Sequence, residues 1–244
     1  MPKKGTINIG VVGAGGIATG AHMPGYAAVP DVKVIAVCDV VKEKAESFAD
    51  RYGIAKKNVF TDYNEIAAMD ELDAISVCTP NNFHAGPAVA ALEYGKHVLC
   101  EKPIAGNAID GQAIVDAAKK AKKILQIGLH LRFQPSIQML KKIIESGELG
   151  QIYYARAVTM RRRGIPSWGA FVQNKMSGGG PLVDIGVHEL DMIVWLMGCP
   201  KPIGAAGHAY TMFGNRKDVA TGEWGMWDAD NYDVEDFAVA YINF

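Results

Sequence analysis

Short, continuous apolar runs alternate with amphipathic stretches along the first half of the chain. The runs fall at residues 7–12, 32–38, 74–78, 97–100 and 124–127. Between them, segments 16–28, 42–52, 85–94 and 110–122 have helical length and spacing. Strands that are apolar at every position, rather than every second one, are covered on both faces. Strand and helix in alternation predict βαβ units, and hence an α/β fold built on a doubly wound parallel sheet.

Near residue 130 the pattern changes. A helix is predicted over 135–146, stopped by Gly147, and "ELGQIYYARAVTM" (148–160) reads as a long strand. A loop rich in Arg and Gly follows, then a helix over 183–197 ended by Gly198. "KPIGAAGHAYTMF" and "VEDFAVAYINF" read as two more strands without a crossover helix. Strands in succession predict an antiparallel or mixed sheet, so two domains are expected, 1–128 and 129–244. The last run, "DFAVAYINF", stops inside a strand and would leave a sheet edge that proteins usually cover. The expectation is a second domain that lacks its C-terminal part or is completed by another chain.

Of 244 residues 49% are hydrophobic, enough for a sizeable core, and the formal net charge is -1. No basic field exists to hold nucleic acid or an anionic membrane, and no run has the length of a membrane span. Cys38, Cys78, Cys100 and Cys199 form no CxxC pair, and three of them lie in or beside apolar runs. Buried thiols in a reducing compartment account for them better than disulfides or zinc. The start, "MPKKG", is basic, but the apolar run after it is short and glycine-rich, a first strand rather than a secretion signal. The expected location is the cytoplasm.

Candidate chemistry begins in "INIGVVGAGGIATGAH", which sets Gly13-Ala14-Gly15-Gly16-Ile17-Ala18 between a strand and a helix. This is G-x-G-x-x-A: Gly13 for a tight turn, Gly15 for close approach of a pyrophosphate, Ala18 for close packing of helix on strand. The helix N-terminus offers unpaired N–H groups to phosphates. The second strand ends in "IAVCDV", and Asp39 there suits the two ribose hydroxyls of an adenosine while repelling a 2′-phosphate. NAD is therefore expected over NADP, with Lys42 nearby bearing on how strict the preference is.

Two further strand ends carry polar residues: Thr79-Pro80-Asn81 and His84 in "VCTPNNFHAG", and Glu101-Lys102-Pro103 in "VLCEKPIAGN". In an open α/β sheet ligands bind beyond the carboxyl ends of the strands, where all of these converge. With "GGGPLVDIGVHELDMIVWLMG" (178–198) the set resembles the Gfo/Idh/MocA oxidoreductase family, which includes inositol dehydrogenases and glucose–fructose oxidoreductases. The resemblance runs through essentially the whole chain. EKP and D-x-x-x-H, in this order and separation, carry it more specifically than the glycine loop does.

The resemblance implies a Rossmann domain followed by an α+β domain with a large open, mostly antiparallel sheet, through which copies form a homo-oligomer. It implies cofactor contacts from Gly13, Gly15, Gly16, Ile17, Asp39, Thr79, Pro80, Asn81, His84, Glu101 and Lys102. His84 would touch the cofactor ribose, and Glu101 would either fix its strand end or meet the nicotinamide ribose. Lys102 would face the nicotinamide and the substrate hydroxyl, aimed by Pro103. A cis Lys102–Pro103 peptide is predicted, since proline alone makes that form cheap.

Oxidising a secondary alcohol needs a base near neutral pH, and histidine, with an unperturbed pKa of about 6.5, suits it. Asp184 and His188 are four apart, on one face of the predicted helix. By resemblance the catalytic set is Lys102, Asp184 and His188: the imidazole takes the alcohol proton, Asp184 steadies it, and Lys102 stabilises the alkoxide. Asp191 on the same face also permits a metal with His188, but two ligands on one helix do not make a site, and none is expected. Arg132 in "LHLRFQP" is either substrate-facing or a packed loop residue. Arg163, in the run Arg161–Arg162–Arg163, belongs to a solvated charge run or meets an acidic or polyhydroxylated substrate beside a stacking Trp168.

The expected function is NAD-dependent hydride transfer at a secondary hydroxyl or keto group of a sugar, inositol or related polyol. Two alternatives stand beside it. One is a glycoside hydrolase that oxidises its sugar transiently with bound NAD; the other is a non-catalytic dinucleotide-binding or assembly protein.

Overall fold

In the computed structural model, which describes residues 5–169, 171–219, 221–222 and 224–244, the apolar runs of the first half become one parallel sheet. Its strands are β1 (Ile7–Val12), β2 (Val32–Cys38), β3 (Val59–Phe60), β4 (Ala74–Val77), β5 (His97–Cys100) and β6 (Leu125–Ile127). They lie in the order 3-2-1-4-5-6, so successive strands are added outward in one direction from β1 and in the other from β4. The register pairs Phe60 with Cys38, Cys38 with Val12, Val12 with Val77, Val77 with Cys100 and Cys100 with Ile127. The strands thus finish on one row, and the residues that follow form a single polar rim.

Both faces of the sheet are covered. On one, Val12, Ala36, Ile75, Val77 and Val98 pack with Ala88, Ala91 and Leu92 of α4 (Ala85–Glu93) and Ile114 of α5 (Ala108–Ala121). On the other, Val11 and Val37 pack with Ala18 and with Ala45, Phe48 and Ala49 of α2 (Lys42–Tyr52). Neighbours such as Val11 and Val12 serve opposite faces, which is why the strands are apolar throughout. Burying each such side chain is worth about 1.5–3 kcal/mol.

The first helix is broken into a π-turn, Ala18–His22, and α1 (Met23–Ala27). Pro24 has no N–H to return to Gly20, and Met23 N–H bonds Ala18 O instead. Between α2 and β4 the sequence reading has no element, yet β3 and α3 (Tyr63–Ala67) are there. Two strand residues carry no periodicity; the Asp62 side chain that caps Asn64 N at 2.8 Å was the legible signal.

The chain divides into two compact units, Met1–Gly128 and Leu129–Phe244. In the second lie α6 (Pro135–Glu145), α7 (Asn174–Ser177), a π-turn (Leu182–Gly186) leading into α8 (Val187–Leu196), and the antiparallel pair β7 (Gly204–Tyr210) and β8 (Phe237–Asn243). Residues 148–160, expected as a long strand, carry no strand pairing. A strand exists through its neighbour, and β7 and β8 pair only with each other among the described residues. Instead, Thr159 Oγ1 donates to Glu189 Oε1 of α8 at 2.9 Å.

Candidate active site

The glycine turn leaves β1 with Gly13 N donating to Cys38 O at 2.8 Å. Gly13 has φ +98°, and a Cβ there would stand 2.7 Å from the Cys78 carbonyl carbon and 2.8 Å from Thr79 N. The close approach of the Gly13 turn to the peptide that follows β4 admits no side chain. Beside Gly15 and Gly16, by contrast, a Cβ would meet nothing within 4 Å. This open, exposed turn at a helix start fits a pyrophosphate. Ile17 is 44% exposed at its lip.

Asp39 does more than wait for a ribose. Its Oδ2 accepts from Ala14 N and its Oδ1 from Val41 N, both at 2.9 Å. The carboxylate therefore braces the glycine turn against the end of β2, and each oxygen keeps a lone pair for a hydroxyl. These residues fit a dinucleotide.

At the end of β4, Thr79 Oγ1 donates to Phe83 O at 2.9 Å, and Pro80 leads into a 3₁₀ turn, Asn81–Phe83. His84 is fully buried, with Nδ1 2.7 Å from Pro103 O and Nε2 2.9 Å from Thr79 O. A main-chain carbonyl flanks each ring nitrogen, so the ring lies between the β4 turn and the β5 turn, and in its neutral form it donates to one of them. Burial pushes its pKa down, against the pull of the two carbonyls and Glu101.

The Lys102–Pro103 peptide is cis, the form expected from the sequence. Glu101 Oε1 lies 2.8 Å from His22 Nε2, and Glu101 Oε2 accepts from Lys102 N at 3.2 Å. Burial alone would raise the Glu101 carboxyl; the hydrogen bond and charge of His22, with the Lys102 N–H and ammonium, outweigh it and hold the pKa below the usual carboxylate value. The sequence reading missed His22 and Ser76. Their signals were a histidine on the helix after the glycine turn and one hydroxyl inside the apolar run "AISVC". Cys38, Cys78 and Cys100 are buried free thiols; burial raises Cys78 to about 12, and Cys199 is exposed.

In the second unit Asp184 sits in the π-turn and His188 in the first turn of α8, both half-buried. The turn before them is held by Glu235, whose Oε2 accepts from Gly180 N at 2.8 Å and Oε1 from Leu182 N at 3.2 Å. A Cβ on Gly180 would stand 1.9 Å from Glu235 O, which explains the glycine just before Pro181. The His130 ring meets the His188 ring edge-on, centroids 4.8 Å apart. Glu235 and His130 were not singled out from the sequence.

Arg132 is held on α8. Its guanidinium forks onto Asp191, Nε to Oδ2 at 2.7 Å and Nη2 to Oδ1, and lies over the Trp195 ring. Asp191 is thereby engaged, and no group of three His, Cys, Asp or Glu among the described residues could hold a metal. Arg163 is exposed on its loop. Trp168 is 51% exposed and stands edge-on to Trp224, 5.0 Å between centroids, with Arg161 over the Trp224 ring at 4.6 Å. Among the described residues, no helix is long and apolar enough to cross a membrane.

Comparison with known proteins gives matches along both units. Residues 7–129 match the oxidoreductase family with an NAD-binding Rossmann fold, and residues 137–244 match the GFO/IDH/MocA C-terminal domain. D-glucoside 3-dehydrogenase of Escherichia coli is 36% identical over 98% of this chain and 67% of its own length. Inositol 2-dehydrogenase of Salmonella typhimurium is 32% identical over 80% of this chain, which spans 54% of that enzyme. Among solved structures, levoglucosan dehydrogenase in complex with NADH and levoglucosan has a TM-score of 0.78 at 27% identity, covering 98% of this chain and 64% of that one. The chain thus spans between about half and two thirds of these relatives.

Proposed function

The chain belongs to the GFO/IDH/MocA oxidoreductase family, and from that membership we propose that it moves a hydride between NAD and a secondary hydroxyl or keto group of a sugar, inositol or related polyol. The observation that carries the reading is the rim of the parallel sheet. Glycine turn, Asp39, Thr79–Asn81 and Glu101–Lys102 follow strands that end on one register row at the topological switch point. Bound NAD supplies the hydride acceptor.

The chain's own residues supply the rest. Gly13, Gly15, Gly16 and Ile17 take the pyrophosphate, Asp39 the adenosine ribose, and Thr79, Pro80 and Asn81 the next stretch of the cofactor. The Asp39 carboxylate, followed by Val40 rather than a cation, favours NAD over NADP. Lys102 stabilises charge on the substrate oxygen, His188 takes its proton, and Asp184 steadies the imidazolium. The exposed Trp168 offers a face to a sugar ring, with Arg163 on the same loop.

Relatives named for D-glucoside and levoglucosan match 98% of this chain, against 80% for inositol 2-dehydrogenase. Glucose-derived rings are therefore the first substrates to try. Copies associate through the β7–β8 sheet, where Phe237, Val239 and Tyr241 are exposed; a sedimentation measurement reads this directly. The function itself is tested by fluorescence titration with NADH and NADPH, then by NADH formation over a panel of glucosides and inositols. Tighter NADH binding and turnover of a ring polyol are expected. Binding without turnover on any of them would leave a dinucleotide-binding protein, and no binding would defeat the reading altogether.

A further inference from the structure

Four polar side chains form a chain beneath the Glu101–Lys102 turn, inside a sheet whose other buried positions are mostly apolar. Ser76 is fully buried and His22 is 9% exposed. Burying an imidazole and a hydroxyl is costly unless each finds a partner, and here each does. Tyr26 Oη donates to Ser76 Oγ at 2.9 Å, Ser76 Oγ lies 2.8 Å from His22 Nδ1, and His22 Nε2 lies 2.8 Å from Glu101 Oε1. One placement of protons satisfies every contact: the serine hydroxyl donates to Nδ1, and Nε2–H donates to the carboxylate. The far carboxylate oxygen then accepts the Lys102 N–H at 3.2 Å.

An irregularity delivers His22 to this place. It is the last residue of the π-turn Ala18–His22. One extra residue in a turn rotates all that follows by about 100°, and π-turns recur where a side chain must be re-aimed. From the other side, a Cβ on Gly128 would stand 3.1 Å from Glu101 Oε1, so the carboxylate is boxed between the imidazole and the end of β6.

We propose that His22 is the positioning residue of the Glu101–Lys102–Pro103 turn: its Nε2–H fixes the Glu101 carboxylate, which fixes the Lys102 main chain and so the direction in which the lysine side chain leaves. Ser76 and Tyr26 set the tautomer that makes His22 a donor toward Glu101. The inference rests on the role proposed above for Lys102. Besides His22 and Lys102, the groups facing the carboxylate are Tyr26, His84, Cys78 and Cys100. Burial holds both thiols and the phenol protonated well above neutral pH and favours the neutral form of His84, so the donors that hold the Glu101 carboxylate are the His22 ring and the Lys102 main chain.

The test compares His22→Leu, which removes the donor, with His22→Gln, whose amide N–H reaches toward the place of Nε2. Carbon-13 NMR follows the Glu101 carboxyl against pH in cofactor-free protein, assigned with Glu101→Gln, and the Lys102 amide shift reports its bond to Oε2. His22→Leu should raise the Glu101 pKa by about one unit and move the Lys102 amide. It should lower kcat by about tenfold to a hundredfold, with substrate KM and NADH affinity within about threefold. His22→Gln should restore most of each loss.

An unmoved carboxyl, an unchanged kcat, or a glutamine variant no better than leucine would overturn the proposal. Should His22→Leu not fold, Ser76→Ala removes the partner of Nδ1 alone, and it should move the same two resonances in the same direction; unmoved resonances would overturn the proposal equally. A wild-type protein that turns over no polyol would defeat the reaction proposed above. The two resonances, read without cofactor or substrate, would still decide for or against His22.

Discussion

At Gly13 the backbone has φ +98°, and the Cys78–Thr79 peptide stands within 2.8 Å of any Cβ. An alanine there meets a left-handed backbone and a main-chain neighbour that cannot swing aside. Gly13→Ala is expected to lower stability by about 2–4 kcal/mol and to abolish NADH binding. Gly15→Ala, with nothing within 4 Å of its Cβ, should leave stability unchanged and weaken NADH binding alone. Urea unfolding and NADH titration of both variants separate the roles; equal stability losses would make the whole turn a folding feature. Lys102→Ala should lower turnover by about a hundredfold or more, the scale of one lost charge-stabilising donor, with little change in NADH affinity, and turnover near wild type would remove Lys102 from the chemistry. Glu101 gives the acid limb. Its folded pKa is depressed, so its contribution to stability is fully present above the ordinary carboxylate value and is lost as pH falls through the lowered one. Glu101→Gln should therefore flatten the loss of stability in acid, and an acid limb unchanged in thermal melts would mean that other carboxyls dominate. The glycine turn, Asp39 and Glu101-Lys102-Pro103 are legible in the sequence because each is a contiguous pattern tied to a strand end. His22 is not, because its meaning is a contact with a residue 79 positions away.

At the scale of elements, the helix that carries Asp184 and His188 depends on a strand far along the chain. Glu235, just before β8, accepts from Gly180 N and Leu182 N, two donors that this helix start would otherwise leave unmet. Glu235→Ala should cost about 1–2 kcal/mol, the scale of a lost N-cap, and should lower turnover more than NADH affinity because the cofactor turn lies in the other unit. Glu235→Gln keeps one acceptor oxygen and should fall between. Equal effects on turnover and NADH affinity would show general destabilisation instead. Arg132 belongs here too, since its fork onto Asp191 joins the segment before α6 to α8; a lysine lacks the planar pair of donors. Periodicity could place α8 but not Glu235 as its cap, since a cap supplied from 55 residues away leaves no local spacing. The same limit explains residues 148–160, which read as a strand in the sequence. Periodicity describes a surface with two faces, whereas a strand also needs a neighbour to bond.

Across the whole molecule, burial is unequal. Most fully buried apolar side chains lie in the first unit, while the second contributes Val172, Leu196, Trp227, Ala229 and Val234 among the described residues. Every residue of β7 is exposed. The parallel sheet was legible because strands buried on both faces are apolar at every position. In the second unit α6, α8, β7 and β8 were legible as well, and the departure falls at 148–160, where no neighbouring strand is paired. Local stability follows buried contacts, so the amides of β1, β4 and β5 should exchange hydrogen at least about a hundredfold more slowly than those of β7 and β8. NADH then gives a sharper reading. At about one hundred times its Kd a ligand stabilises the state that binds it by about 2.7 kcal/mol, so amides of the parallel sheet that exchange only by global unfolding of the first unit should slow by about a further hundredfold. If the units unfold separately, β7 and β8 keep their rates. If their protection rises by the same factor, the two units unfold as one, and binding at the rim of the sheet is felt by the helix that carries His188.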